Sequence, residues 1–362
     1  MFQKMATKKK ILLAMSGGTD SSVVALLLKE QGFDVQGVTF HAYDNILKSC
    51  ADNFDSFVEA ENLAKKLGFP HQILDIREYF DKIVITNFIS EYMAGFTPNP
   101  CVLCNKTVKW GKMLDLMKNL NCEYYATGHY AQIVNENGRY FLRKAKDTNK
   151  DQTYFLWTLS QENLAQTIFP LGSLLKSEVR EIAHKHQCEK IANKKESQEI
   201  CFIPDNDYRQ FLRERIPEIN DNPGQGNFID TNGNILGKHK GFPFYTIGQR
   251  KGLEIAMGYP VYVTNIDAKT NTITLGKREE LLQTTVWIKD VNLMKYEEIK
   301  GEMQGNCKIR YNNEGEDCSF IMEGEMIKIN FKQPVSAVTP GQSAVIYENN
   351  DLVCGGIIAK IN

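Results

Sequence analysis

The chain has 362 residues, 42% of them hydrophobic and 24% charged, with a formal net charge of −1; that length suits two or three domains with cores of their own. The even charge balance excludes a globally basic nucleic-acid binder, so any RNA site has to be a local patch. No apolar run reaches membrane-spanning length and the lysine-rich start MFQKMATKKK has no signal-peptide core, which predicts a cytoplasmic protein without a membrane partner.

In chain order, the first apolar run is Ile11 to Met15, short and continuous as a buried strand is. The run SSVVALLLKEQG follows, with Val23, Val24, Leu26 to Leu28 and a closing Gly32, and predicts a buried helix with a glycine stop. Ser16, Gly17, Gly18, Thr19, Asp20 and Ser21 therefore form a strand-to-helix turn. Its glycines allow unusual φ and close approach to a ligand. The helix N-terminus adds unpaired N–H groups and a positive dipole end, which together suit phosphate. A plain glycine turn capped by Asp20 or Ser21 uses the same residues, but the density of hydroxyls favours phosphate. No lysine follows the glycines, so this is not the G-x-x-x-x-G-K-[ST] loop.

Strand and helix then alternate: a strand at 34–40, a helix at 57–68, a strand at 71–76, helices at 79–95 and 105–120, and a strand at 123–131 that runs into a loop. That order predicts an α/β, doubly wound parallel sheet. Such sheets bind ligands at the carboxyl ends of their strands, where Ser16, Phe40 and Thr127-Gly128-His129 all fall. After about residue 204 the texture changes. GNFIDTNGNILGKHKG holds an Asn-Gly turn between short apolar runs, and YPVYVTNIDAKTNTITLGK reads as strand, turn, strand. From 285 onward short alternating segments predict a small β-barrel or sandwich. The expected domains are 1–203, 204–282 and 283–362.

Nine cysteines is a high and odd count, and in a cytosolic chain it points to thiol or metal chemistry before structural disulfides. TPNPCVLCNK places Cys101 and Cys104 at C-x-x-C spacing between two helices. Half a zinc site lacks its second pair, and a thioredoxin-like motif would follow a strand. A catalytic thiol remains, with two small buried residues as the ordinary alternative. A helix starting near Asn105 would lower the Cys104 pKa through its dipole. Cys201 lies between Ile200 and Phe202 and by itself reads as a core cysteine. The other six cysteines carry no pattern. LLKSEVREIAHKHQCEKIANKK brings Lys176, Arg180, Lys185, Lys190, Lys194 and Lys195 along a helix, several of them able to line one face for phosphate contacts; a solvated helix face is the plain alternative.

The motifs SGGTDSS, TPNPCVLCN, TGHYA, KDQTYFLW, SQEICFIPD, GKHKGFPFYTIGQRKGL and AVTPGQSAVIY occur in this order. In that combination the sequence resembles the tRNA-specific 2-thiouridylases of the PP-loop ATP pyrophosphatases, over nearly the whole chain. The resemblance implies replacement of the carbon-2 oxygen of the wobble uridine by sulfur in tRNAs for Lys, Glu and Gln, after adenylation of that oxygen by ATP. It implies ATP contacts at Ala14, Met15, Ser16, Gly17, Gly18, Thr19, Asp20, Ser21, Phe40 and Gly128, with Asp20 near a Mg²⁺ ion. Cys201 would carry sulfur as a persulfide received from a donor protein, and Cys104 would be the nucleophile. Cys104 either frees sulfide, leaving a Cys104–Cys201 disulfide, or assists direct transfer; both routes need thiols able to meet.

Asn99, Pro100 and Cys101 match the segment that contacts the target base. Some relatives carry an aspartate where this chain has Cys101, so an acid/base role there falls to Cys101, to another group, or is not needed. His129, Lys150, Asp151, Gln152, Arg310, Tyr311 and Gln342 match tRNA-contacting positions. The resemblance makes 1–203 the catalytic domain, 204–282 a mostly β, tRNA-contacting domain and 283–362 a β-barrel, in a monomer. Two enzymatic rivals stand beside it: a PP-loop enzyme acting on a small molecule, which needs no cysteine pair, and a thiolase holding an iron–sulfur cluster on several cysteines. An RNA-binding protein on a dead PP-loop is the non-enzymatic rival, and the intact Ser16–Ser21 loop argues against it.

Overall fold

The computed structural model describes residues 8–44, 51–186, 200–203 and 207–360. The chain divides into two compact units: 1–83, 101–202 and 350–352 form the first, and 84–100, 203–349 and 353–362 the second. The first unit is built on a five-stranded sheet in the order β3-β2-β1-β4-β7. Its strands β1 (Lys10–Ala14), β2 (Asp34–His41), β3 (His71–Asp75), β4 (Tyr124–Ala126) and β7 (Thr167–Ile168) all run parallel. The central strand pairs on both edges, Ile11 with Val35 on one side and with Tyr124 on the other. Ile11, Leu12 and Leu13 are accordingly fully buried, which is why the strand reads as an unbroken apolar run.

Helix α1 (Thr19–Glu30) follows β1, and α2 (Ala51–Leu67) leads into β3. Val23, Val24, Ala25 and Leu28 of α1 join Ile11, Leu13 and Met15 in one core. The helix expected at 79–95 is observed as α3 (Arg77–Phe80), a π-turn at Asp81–Ile85 and α4 (Thr86–Met93). The widened turn coincides with the β-branched run Ile83 to Thr86, which crowds an α-helical backbone. The helix expected at 105–120 starts earlier, as α5 (Pro100–Cys104), and continues through a π-helical stretch (Asn105–Lys112) into α6 (Met113–Asn119). The strand expected at 123–131 is only β4. It is followed by a hairpin of β5 (Gln132–Glu136) and β6 (Arg139–Arg143), turned at Asn137-Gly138, both with positive φ. Arg143 of this hairpin pairs with Asp351 at 2.5 Å. The first unit also holds α7 (Gln161–Ala165) and α8 (Lys176–Lys185).

In the second unit, α9 (Tyr208–Arg215) precedes a four-stranded sheet in the order β10-β11-β8-β9. Its strands are β8 (Gly226–Ile229), β9 (Ile235–His239), β10 (Tyr262–Asp267) and β11 (Thr272–Gly276). The Asn-Gly turn of the β8–β9 hairpin is held by Asp230, whose Oδ1 accepts from the backbone of Asn232 and Asn234. Six strands follow: β12 (Leu282–Leu293), β13 (Met303–Lys308), β14 (Glu316–Glu323), β15 (Met326–Ser336), β16 (Ser343–Glu348) and β17 (Asp351–Ile358). They run in the order β12-β15-β14-β13-β16-β17, and β12 pairs with β17 to close a barrel. Closure leaves no free edge. Among the described residues no helix is long and apolar enough to cross a membrane.

One glycine marks how tightly the first unit is packed. A Cβ on Gly172 would lie 1.9 Å from the Ala131 carbonyl oxygen, so the backbone itself would have to yield. Gly172→Ala is expected to lower stability by about 1–3 kcal/mol, the usual cost of overpacking. Gly111→Ala, whose Cβ would meet only the Lys106 carbonyl oxygen at 3.5 Å, is expected to be neutral or slightly stabilising. Thermal unfolding of the two variants beside the parent checks this; equal midpoints would contradict it.

Candidate active site

The loop after β1 turns on Gly17, which sits at φ +64 with its Cα against the chain at Ser56; a Cβ there would come 2.2 Å from the Ser56 carbonyl oxygen. Gly18 is the N-cap of α1 and supplies no side-chain oxygen to the first helical turn. Ser21 ties the loop across: its hydroxyl accepts from the Ser16 N–H at 3.1 Å and lies 3.2 Å from the Ser16 hydroxyl. Gly128, in the loop after β4, lets that loop lie against the same turn, since a Cβ would be 3.0 Å from the Ser21 nitrogen. Met15 extends the β1–β2 ladder by donating to Val38, and Ala14 ends β1 while Phe40 stands one residue before the carboxyl end of the parallel β2. The ATP positions implied by the sequence thus converge at the carboxyl ends of neighbouring strands. An N-terminal helix turn capped by a glycine fits a phosphate chain.

Asp20 carries the charge of this cradle. Its Oδ1 accepts from the Tyr130 hydroxyl at 2.8 Å and from the Lys176 ammonium at 2.6 Å. Lys176 is only 7% exposed. The sequence reading placed it on a helix face for RNA phosphates; it is the first residue of α8 and turns inward instead, because Asp20 stabilises its buried charge. The lysine absent after the glycines is thus supplied from another helix. Arg180 and Lys185 of that helix are exposed. Lys190, Lys194 and Lys195 lie outside the described residues.

The second half of the site is a group of thiols. Cys101, Cys104 and Cys201 are free, and the Cys104–Cys201 disulfide named by the resemblance is not formed. Such a bond is a two-electron oxidation product, and both sulfurs are here at the thiol level. The three lie close enough to influence one another. Cys201 keeps a solvent-open side, yet it sits in a recess where burial, helped by Cys104 and Cys101, pushes its pKa up to about 12. The Tyr43 hydroxyl is within hydrogen-bond reach of Cys201 and opposes that shift, as does Lys109. Burial pushes Cys104 up to about 11 and raises Cys101, again against Lys109. The expected lowering of the Cys104 pKa is therefore overturned. The helix begins at Pro100, so Cys104 lies inside it at φ −59 and ψ −45 and faces no free N-terminus.

The remaining positions divide by unit. His129 is buried, with Nδ1 2.7 Å from the Thr127 hydroxyl and Nε2 3.2 Å from Lys109 Nζ. Asp151 is buried too, accepting from Ala145 N–H and the Thr153 hydroxyl. Gln152 accepts from the Tyr130 N–H and so braces the residue that holds Asp20. Lys150 is half-buried. In the second unit Gln342 donates to the carbonyls of Thr97 and Pro98, at 3.0 and 2.8 Å, and so anchors the segment that carries Asn99 and Pro100. Arg310 is exposed and donates to the Ser336 carbonyl, and Lys308 lies over the Tyr311 ring at 5.8 Å. Sequence reasoning missed Lys109, Tyr43 and Tyr130 as parts of the site. Only Tyr130 had a visible signal, within TGHYA.

A glycine-turned loop at a helix N-terminus and a thiol group in one unit narrow the choice of relatives. The tRNA methyl transferase HUP domain family matches residues 9–205, the tRNA methyl transferase PRC-barrel domain 209–277 and the aminomethyltransferase beta-barrel domain 283–358. The tRNA-specific 2-thiouridylase MnmA of Amoebophilus asiaticus (strain 5a2) is 48% identical, over 97% of this chain and 95% of that one. The chain belongs to the tRNA-specific 2-thiouridylase family. The thiouridylases named MnmA of Salinibacter ruber and Cytophaga hutchinsonii are each 46% identical, covering 99% and 98% of this chain and 96% and 98% of theirs. Within a thiouridylase the β-barrel that closes the chain and the parallel sheet that opens it are the expected architecture, and both are observed.

Proposed function

We propose that this chain is an ATP-dependent tRNA 2-thiouridylase that replaces the carbon-2 oxygen of the wobble uridine with sulfur in tRNAs for Lys, Glu and Gln. The observation that carries the reading is a phosphate cradle and three free thiols in one compact unit. A carbonyl oxygen is a very poor leaving group, so the oxygen first attacks the α-phosphorus of ATP and pyrophosphate departs. Ser16 to Ser21 and the N-terminus of α1 would hold the phosphates, with Phe40 and Gly128 beside the nucleotide. Asp20 is the carboxylate at this cradle and would hold a Mg²⁺ ion, which would supply positive charge against the phosphates.

Sulfur then attacks carbon 2 and AMP leaves with the oxygen. In the direct route the terminal sulfur of a Cys201 persulfide attacks. The Cys104 thiolate next attacks Cys201 Sγ, forming the Cys104–Cys201 bond and leaving sulfur on the base. In the alternative, Cys104 attacks the persulfide first and frees sulfide. Either way a dithiol reductant resets the enzyme. The sulfur would come from a persulfide-bearing donor protein in the cytoplasm. Asn99, Pro100 and Cys101 would face the flipped base, and Lys150, Arg310 and Tyr311 the tRNA backbone. Residues 1–203 would perform catalysis, while 204–282 and 283–362 would grip the tRNA, in a monomer.

Methyl transfer, named by the domain families, is the second reading. It gives three thiols no task. Single-turnover incubation with ATP, Mg²⁺, sulfide and unmodified tRNA separates the two, with nucleosides read by mass spectrometry. Sulfur in place of oxygen at the wobble uridine, with AMP formed, is the expected result. An added methylene, or no AMP with tRNA bound, would overturn the proposal.

A further inference from the structure

The backbone after Cys104 has an unusual winding. Asn105–Lys112 is π-helical over 8 residues, whereas π geometry is rare, appears mostly as single turns and gathers at functional sites. Its i to i+5 repeat changes which side chain shares a face with Cys104. In an α-helix that neighbour is at 107 or 108; here it is Lys109.

His129 holds the ammonium in place. Lysine only donates, so His129 Nε2, 3.2 Å from Lys109 Nζ, is the acceptor. Nδ1 then carries the proton and donates to the Thr127 hydroxyl at 2.7 Å. Burial, and secondarily Lys109, keep this imidazole neutral by pushing its pKa well down. Lys109 is half-buried, and none of the ion pairs between described residues includes it. A cation so placed without a carboxylate is costly unless an anion forms beside it. The groups facing the recess are Cys101, Cys104, Cys201, Tyr43, Tyr125 and His129; each of the three thiols feels Lys109 as the charge that favours its anion.

We propose that Lys109, turned toward the thiols by the π-helical stretch and fixed by His129, is the shared counter-ion of the sulfur anion formed in this recess. The inference deepens the thiouridylase reading and rests on it for its purpose. The thiols of the recess stay protonated and quiet near neutral pH. A persulfide on Cys201 is more acidic than the parent thiol, loses its terminal proton to water, and meets the ammonium. The cation thereby favours the loaded sulfur over the unloaded thiol, and it also serves the Cys104 thiolate that follows.

The test needs neither tRNA nor ATP, so its failure leaves the thiouridylase reading standing, and failure of that reading leaves this result intact. Iodoacetamide labelling of the full chain is followed by peptide mass spectrometry from about pH 7 to about pH 10, in wild type, Lys109→Met, Lys109→Arg and His129→Leu. Lys109→Met is expected to slow labelling of Cys104 and Cys201 about tenfold at any given pH, one unit of pKa. Lys109→Arg should restore most of the rate, and His129→Leu should move the profile in the same direction by less. Cys307, Cys318 and Cys354, buried in the barrel, report unfolding: if they label in Lys109→Met, the His129→Leu and Lys109→Arg profiles decide. Profiles unchanged from wild type at all three recess thiols would overturn the proposal.

Discussion

Cys201→Ser is expected to abolish delivery of sulfur from a persulfide donor, with 2-thiouridine formation falling on the order of 10³-fold or more, as loss of a covalent nucleophile does. A serine hydroxyl cannot carry sulfane sulfur. Pyrophosphate release in a single turnover should continue, because the adenylation half of the site, Ser16 to Ser21 with Asp20, Tyr130 and Lys176, does not include the thiols. Cys104→Ser distinguishes the two routes. In direct transfer the base stays bonded through a disulfide to Cys201, and a tRNA–protein adduct appears that reductant dissolves. In the sulfide-release route the persulfide stays on Cys201, no adduct forms, and free sulfide rescues thiolation. The measurement is non-denaturing and denaturing electrophoresis of labelled tRNA beside nucleoside analysis. Unchanged thiolation by Cys201→Ser with a persulfide donor would remove Cys201 from the mechanism.

These roles were visible in the sequence to different depths. The Ser16–Ser21 loop was legible as a strand-to-helix turn because glycines, hydroxyls and a carboxylate between a buried strand and a buried helix leave few physical options, and that turn is observed. The parallel sheet was legible from alternation, and the barrel from short strands with turn signals. The β5–β6 hairpin also has its signal, Asn137-Gly138 between alternating runs, beyond the strand expected at 123–131. The start of α5 had one too, since Pro100 suits the first turn of a helix. Reading Asn105 as the start instead gave Cys104 the wrong electrostatics. Lys109 was not legible at all. Helical patterning assumes a period of 3.6, and only a π-helical backbone sets position 109 on the face of Cys104. The burial of His129 and its bond to Thr127 were not legible either, because both depend on how the loop after β4 packs.

Lys176 is the case where the missing information was tertiary, and it supports the second large prediction. Its partner Asp20 lies 156 residues away, at 2.6 Å. Lys176→Met removes the cation from the cradle and leaves the Asp20 carboxylate accepting from the Tyr130 hydroxyl. Loss of a hydrogen bond to a charged group costs about 1.5–3 kcal/mol of stability; Asp20 is one-third exposed by its side chain, 33%, so water softens the cost toward the lower end. The effect on chemistry should be larger. Negative charge grows on the phosphates as pyrophosphate leaves, and losing one preorganised charge of this kind costs about 10²–10³-fold in rate. AMP formation per enzyme should fall by that factor, together with thiolation. Thiol labelling of Cys104 and Cys201 should not change, because Lys109 and not Lys176 faces them. Lys176→Arg keeps the charge on a bulkier planar head in a buried site and should recover only part of the rate. Single-turnover AMP formation in the two variants, with thermal unfolding measured alongside, decides it. A Lys176→Met enzyme that forms AMP at the parental rate would show that the α1 N-terminus and its loop carry the phosphate charge without help from α8.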